Sequence, residues 1–257
     1  MIQTDQWNPD QYNKFREQRR QPFDDLVAFI RPLPRMRIID LGCGTGDLTA
    51  LLAERFDDAT VEGIDSSASM IGQASADGRV TFRQQEIQSI EDFSPYDLIF
   101  SHAVFQWVPD NEGLMRRILS TMKHEAQLAI QMPRNEGHPS HQIAEAIAQE
   151  EPFRTLLHGY VRKSEVLQLE QYSQLLHEHR LRDLICIEKI YGHELPESRS
   201  VVEWVKGTSL SAYLSRLDQA DQSAFLVEYS QRLLAAVGDR SPYYYPFRRM
   251  LIWGRRQ

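Results

Sequence analysis

Hydrophobic positions in the first half of the chain fall into two alternating patterns. Short apolar runs, 37–41 (RIIDL), 60–64 (TVEGI), 80–83 (VTFR), 97–101 (DLIFS) and 126–132 (AQLAIQM), read as strands. Between them, 47–55 (DLTALLAER), 67–75 (SASMIGQAS) and 111–122 (NEGLMRRILSTM) read as helices. A further helix is predicted at 20–31, where Phe23, Leu26, Val27 and Ile30 fall on one face. Strands alternating with helices predict a parallel α/β sheet.

The alternation stops after Pro133. Residues 134–182 are polar and amphipathic, with helices predicted at 140–150 and 164–179. A strand follows at 184–194, then helices at 199–206 and 218–237, then a last apolar run at 249–253. No Gly/Ser-rich linker divides the chain, so the pattern predicts one domain. Its core covers about 20–135, 182–196 and 246–257, with an N-terminal arm at 1–19 and helical insertions at about 136–181 and 197–245 forming a cap.

Composition narrows the partners. The 257 residues, 42% hydrophobic, suffice for one large α/β core or two small ones. A net charge of -7 argues against nucleic acid as the partner, because binding it requires clustered Lys and Arg. No apolar stretch approaches the length of a membrane span, and the polar start does not resemble a signal peptide. The two cysteines, Cys43 and Cys186, are far apart and form no disulfide framework, so the expected location is cytoplasmic.

The chemistry centres on residues 38–47, IIDLGCGTGD. Gly42, Gly44 and Gly46 follow a strand and precede a helix, where a ligand can approach the backbone and the helix N-terminus. The spacing is GxGxG, neither the GxGxxG of a dinucleotide turn nor a P-loop, and no lysine occurs between Lys14 and Lys123. Successive strand ends carry Asp40, Asp65 and Glu86, at the edge where open α/β sheets bind ligands. Asp65 is placed to accept ribose hydroxyls and Glu86 an adenine amine. A pyrophosphate would meet like charge at Asp40 and Asp47. S-adenosylmethionine carries an ammonium and a sulfonium, and opposite charges about 4 Å apart are worth roughly 4 kcal/mol in a partly screened site. The turn therefore predicts S-adenosylmethionine. Each acid alone could equally be a helix cap; their order and spacing carry the reading.

These segments resemble the class I S-adenosylmethionine-dependent methyltransferases. IIDLGCGTGDLTALL is similar to their first motif, VEGIDSSASMI to the ribose motif, QQEI to the adenine segment and YDLIFSHAVFQWV to the fourth-strand motif. The resemblance implies a Rossmann-like, mostly parallel sheet of seven strands, the last antiparallel, with helices on both faces. It implies a donor site in which Asp40, Gly42 and Gly44 meet the methionyl part, and Asp65, with Ser66 and Met70 in its motif, the ribose. Glu86 and Ile87 would hold the adenine, and Ser101 would border the methyl donor. Over nearly the whole chain, WNPDQYNKF, FQWVPD, LAIQMP, HELPESRSVVEWVKGTSLSAYL and PFRRMLIWG resemble the trans-aconitate 2-methyltransferases, whereas 150–182 matches loosely. QW after the fourth strand is also found in malonyl-acyl-carrier-protein methyltransferases, which leaves that acceptor as an alternative. A third reading is a protein that binds the cofactor without turnover.

The resemblance implies O-methylation of a small polycarboxylate. A carboxylate is already ionised at neutral pH and needs no general base, so no catalytic residue is assigned and His102 is a weak candidate. Acceptor contacts are expected from Gln106 and Trp107, and from Arg16, Arg19 and Arg249, whose guanidinium forks suit carboxylates; Arg20 and Arg248 are further candidates. Trp7, Tyr12 and the run Tyr243–Tyr245 would form either a lid or a satellite hydrophobic cluster. No metal site is expected.

Overall fold

The computed structural model describes the backbone of residues 16–257 and the side chains from residue 20 onward. Trp7 and Tyr12 lie outside the described residues. The chain runs α1 (Arg16–Val27), β1 (Arg37–Leu41), α2 (Asp47–Arg55), β2 (Thr60–Asp65), α3 (Ala68–Ile71), β3 (Val80–Gln84), β4 (Leu98–His102), α4 (Asn111–Thr121) and β5 (Gln127–Pro133). It continues through α5 (Pro139–Gln149), α6 (Phe153–Leu156), α7 (Leu169–Glu178), β6 (Leu181–Leu195), α8 (Ser200–Lys206), α9 (Ser211–Leu214), α10 (Gln219–Val237) and β7 (Tyr243–Arg256). One seven-stranded sheet results, in the order β3-β2-β1-β4-β5-β7-β6. The first five strands are parallel, and β7 is inserted antiparallel between β5 and β6.

Strands buried on both faces read as continuous apolar runs. Alternate residues then go to opposite cores: Ile39, Leu41, Ile99, Leu128 and Ile130 pack with α4 and α7, while Ile38, Phe100, Ala129 and Leu251 pack with α1 and α2. Phe23, Leu26, Val27 and Ile30 are all buried in the second of these, although α1 itself ends at Val27.

The expected elements are present with three revisions. The helix expected at 67–75 is only α3, which Gly72 closes after one turn. The helix expected at 164–179 begins at Leu169; residues 157–168 are mostly irregular. The last strand begins at Tyr243 rather than 249 and pairs with β6 along thirteen register positions, Leu195 to Leu181.

A third core holds α5, α6, α8, α9 and α10 together around Phe153, Trp204, Tyr213 and Phe225. Tyr243, Tyr245 and Phe247 enter it from β7, while Tyr244 between them is 62% exposed. The tyrosine run thus belongs to this helical cluster. α7, by contrast, packs Tyr172, Leu175 and Leu176 onto the sheet. The stretch 136–181 therefore divides, its first half joining the cap and its second covering the sheet. Phe225 sits edge-on to Phe153 at 5.0 Å and stacked on Tyr213 at 5.7 Å.

Phe225→Ala should cost about 3–5 kcal/mol in denaturant unfolding, since a buried aromatic leaves a cavity. Donor affinity should change by less than about twofold, as none of the cap core reaches the donor pocket described below.

Candidate active site

The glycine turn is built by backbone conformation. Gly42, Gly44 and Gly46 have φ of 76°, 57° and 82°, a region that side chains disfavour. A Cβ on Gly42 would overlap Val104, and one on Gly46 would overlap Phe82. A Cβ on Gly44 would meet nothing, because that residue faces an open pocket. The Gly42 and Cys43 amides both donate to the Ile64 carbonyl, at 2.8 and 2.9 Å, tying the turn to β2. Asp65, at the end of β2, completes the tie: its carboxylate accepts from the Gly44 amide at 3.0 Å and the Ser67 amide at 2.9 Å.

The pocket opens at the carboxyl ends of β1, β2 and β4. Gly42, Gly44, Asp65, Ser66, Met70, Glu86, Ile87, His102 and Trp107 line it, and among the described residues no Lys or Arg does. Burial raises the Asp65 pKa against the backbone donors that lower it. Asp40 lies behind the wall, 3% exposed, accepting from the Thr49 hydroxyl at 2.6 Å. Burial pushes its pKa up to about 7, which the Thr49 bond opposes and the Asp65 charge reinforces. Two acids whose pKa values burial raises, beside a glycine cradle, fit a cationic nucleoside better than a pyrophosphate.

Two expected donor contacts lie elsewhere. Asp40 is not among the lining residues of this pocket. Ser101 is fully buried and donates to the Leu41 carbonyl at 3.0 Å, because strand alternation sends the next residue, His102, to the pocket instead. Asp47 is likewise no wall residue; it heads α2 and accepts from the Thr45 hydroxyl.

A second pocket adjoins the first, and Ala103 and Trp107 line both. Its other walls are Gln106, Asn135, Glu136, His141, Arg162, Trp204, Ser209 and Arg249. The Arg162 guanidinium lies over Trp107, 4.7 Å from the ring centroid, and donates to the Gln106 carbonyl at 3.3 Å. Arg249 is 4% exposed and lies over Phe247. Of the expected acceptor residues, Gln106, Trp107 and Arg249 meet here. Arg248 points away and pairs with Glu188 at 3.1 Å, and Arg20 pairs with Asp24 on α1. Arg16 and Arg19 belong to α1, but their side chains lie outside the described residues. Sequence reasoning missed Arg162 and His141. Trp204 and Ser209 carried a signal, since they lie in the segment HELPESRSVVEWVKGTSLSAYL. Among the described residues, no three or more His, Cys, Asp or Glu are grouped to hold a metal ion.

A family model described as a methyltransferase domain matches residues 33–178. The trans-aconitate 2-methyltransferase of Deinococcus radiodurans is 41% identical over 96% of both chains, and that of Variovorax paradoxus 37% identical over 88% of both. The chain belongs to the trans-aconitate 2-methyltransferase family. It is therefore an S-adenosylmethionine-dependent methyltransferase. Solved structures agree in fold. The YcgJ protein of Bacillus subtilis superposes with a TM-score of 0.61 at 14% identity, covering 93% of this chain and 99% of that one. Phosphoethanolamine N-methyltransferase 2 of Haemonchus contortus, solved with S-adenosyl-L-methionine, gives 0.55 at 17% identity over 92% of this chain, which spans 52% of that structure.

Donor affinity should depend on pH with a definite sign. In the free protein Asp40 binds a proton below about pH 7, and a bound cation favours its ionised form. Affinity for S-adenosylmethionine should therefore fall as pH drops below about 7, by up to roughly tenfold per unit, and level off above it. Asp40→Asn, which can keep the Thr49 bond, should flatten the calorimetric profile. Asp65→Ala should weaken donor binding by at least about tenfold at any pH, through lost ribose contacts and a released Gly44.

Proposed function

We propose that this chain transfers a methyl group from S-adenosylmethionine to a carboxylate of trans-aconitate or a closely related small polycarboxylate, forming a methyl ester and S-adenosylhomocysteine. The observation that carries this reading is the pairing of pockets: an acid-lined one, without a cation among the described residues, beside one walled by Arg162 and Arg249, sharing Ala103 and Trp107. The names of the relatives support the acceptor. The donor supplies an electrophilic methyl carbon on its sulfonium. The protein's part is alignment and exclusion of water, since an ionised carboxylate is nucleophilic without a base.

Arg162 and Arg249 are assigned to hold carboxylates of the acceptor; the Trp107 and Gln106 contacts fix where the Arg162 fork points. Trp107, on the shared wall, is the surface past which a carboxylate oxygen reaches the methyl group. Ala103, held at φ 60°, turns the chain between the pockets without a bulky side chain in the passage. His102 lines the donor side and has no general-base task on a carboxylate. A small molecule, not nucleic acid, suits an acceptor pocket partly walled by the cap and a net charge of -7. Among the described residues no helix is long and apolar enough to cross a membrane. The free Cys43 and Cys186 suit a reducing, cytoplasmic compartment. The malonyl-carrier-protein alternative is not favoured by these relatives.

The test is methyl transfer from labelled donor to a panel of trans-aconitate, cis-aconitate, isocitrate, malonyl carrier protein and fatty acids. Label should appear on the tricarboxylates in a product labile to mild base; donor binding with no transfer to any acid would contradict the reading. Arg162→Ala should raise KM for the preferred acid by roughly 10–100-fold, the loss of a charge-assisted hydrogen bond, with donor affinity nearly unchanged.

A further inference from the structure

Thr208, Ser209 and Ser211 place three hydroxyl groups where α8 gives way to α9, and two of them are used within the turn itself. Thr208 Oγ1 donates to the Val205 carbonyl at 3.3 Å, and Ser211 Oγ to the Thr208 carbonyl at 2.5 Å. The Ser209 hydroxyl has no hydrogen-bond partner among the described residues, although the residue is only 6% exposed. The backbone leaves it little freedom to find one. The Val205 carbonyl accepts from the amides of both Thr208 and Leu210 at 3.0 Å, and Val205 and Leu210 are fully buried in the cap core. Ser209 is thus pinned between two anchors on the wall of the acceptor pocket.

A buried hydroxyl without a partner is costly to a fold, and native structures keep few of them. The same pocket holds a second such atom of the opposite kind. Gln106 Nε2 donates to the Ala103 carbonyl at 2.6 Å, which leaves Oε1 as an acceptor only, buried and without a partner among the described residues. The two atoms do not satisfy one another, and they answer differently to an anion. A carboxylate oxygen takes a hydrogen from a serine hydroxyl, whereas at Gln106 Oε1 it meets only lone pairs. An acid in this pocket is drawn toward the cap at Ser209 and turned away from the Gln106 oxygen.

We propose that Ser209 is a further acceptor-binding residue, its hydroxyl donating to one carboxylate of the acid, so that the cap helps to read the substrate as well as to wall the pocket. The inference rests on the reading of this pocket as the acceptor site. No proton changes hands; an uncharged O–H donor meets an ionised oxygen, the stronger kind of hydrogen bond. A serine kept for the fold would stabilise the free protein. One kept for the ligand contributes only to the complex, and this difference can be measured.

The experiment replaces Ser209 by alanine in the whole protein. The melting temperature of free Ser209→Ala should be unchanged or higher, because the substitution removes an unsatisfied buried group. Its affinity for trans-aconitate, measured by calorimetry with S-adenosylhomocysteine bound, should fall by roughly tenfold or more, the loss of a hydrogen bond to a charged group. Affinity for S-adenosylhomocysteine should stay within about twofold. Itaconate, cis-glutaconate and mesaconate each lack one carboxyl of trans-aconitate. The loss should vanish with whichever of them lacks the carboxylate that Ser209 holds, and persist with the other two.

Equal binding of trans-aconitate by the unaltered protein and Ser209→Ala overturns the proposal. So does a lowered melting temperature with the same loss on all four acids, which is the behaviour of a structural serine. Should the dicarboxylates bind too weakly to compare, trans-aconitate affinity and melting temperature decide. Should the alanine variant not fold, Ser209→Cys, similar in shape but a weak donor, takes its place with the same two expectations. No binding of trans-aconitate to the unaltered protein is a different result, and overturns the acceptor reading together with the inference built on it.

Discussion

The site depends first on one carboxylate. Asp65 accepts two backbone amides, from Gly44 and from Ser67, and so ties the end of β2 to the glycine turn and to the start of α3. The turn can accept that tie because its three alternate glycines lie in the left-handed region. Remove the carboxylate and the amide of Gly44 loses its partner at the point where the donor must approach. Put a side chain on Gly42 or Gly46 and it collides with Val104 or Phe82. One side chain thus shapes the turn and supplies its negative charge.

From this arrangement follows a separation of charge. Among the described residues, the donor pocket has acids on its wall and behind it and no cation, and the acceptor pocket has Arg162 and Arg249, the first stacked on the shared tryptophan. A cationic donor and an anionic acceptor are each drawn to their own side, and their charges are brought together only at Ala103 and Trp107. Transfer between unlike charges neutralises both, so the protein has little to supply beyond position and dryness. The cap supplies one wall of the acceptor pocket, through Trp204 and Ser209. Its own hydrophobic core, with Tyr243, Tyr245 and Phe247 entering from β7, holds Trp204 and the α5 helix over the sheet edge.

The donor half of this picture was legible in the sequence for a physical reason. Parallel strands buried on both faces appear as short apolar runs, and a ligand turn between strand and helix needs glycine, so local pattern and site coincide. Alternation set the limit. Ser101 and His102, or Arg248 and Arg249, are neighbours in sequence that a strand sends to opposite sides, and only the register decides which one lines a pocket. The acceptor half was harder to read because it is made by tertiary packing. Arg162 stands in an irregular segment with no periodicity to report on, and reaches the site only because α6 and α7 anchor its two ends to different cores. The tyrosine run extends the antiparallel β6–β7 pair, and its inward residues serve the cap, which the shorter apolar run at 249–253 did not reveal.

The account stands on the claim that donor and acceptor occupy two pockets of opposite charge that meet at Trp107. A crystal structure with S-adenosylhomocysteine and trans-aconitate tests it most directly. The account predicts the nucleoside along Gly44, Asp65 and Glu86, acid groups on Arg162 and Arg249, and one carboxylate oxygen facing the sulfur across the space of a methyl group beside Trp107. An acid bound away from both arginines, or with every carboxylate turned from the sulfur, would contradict it.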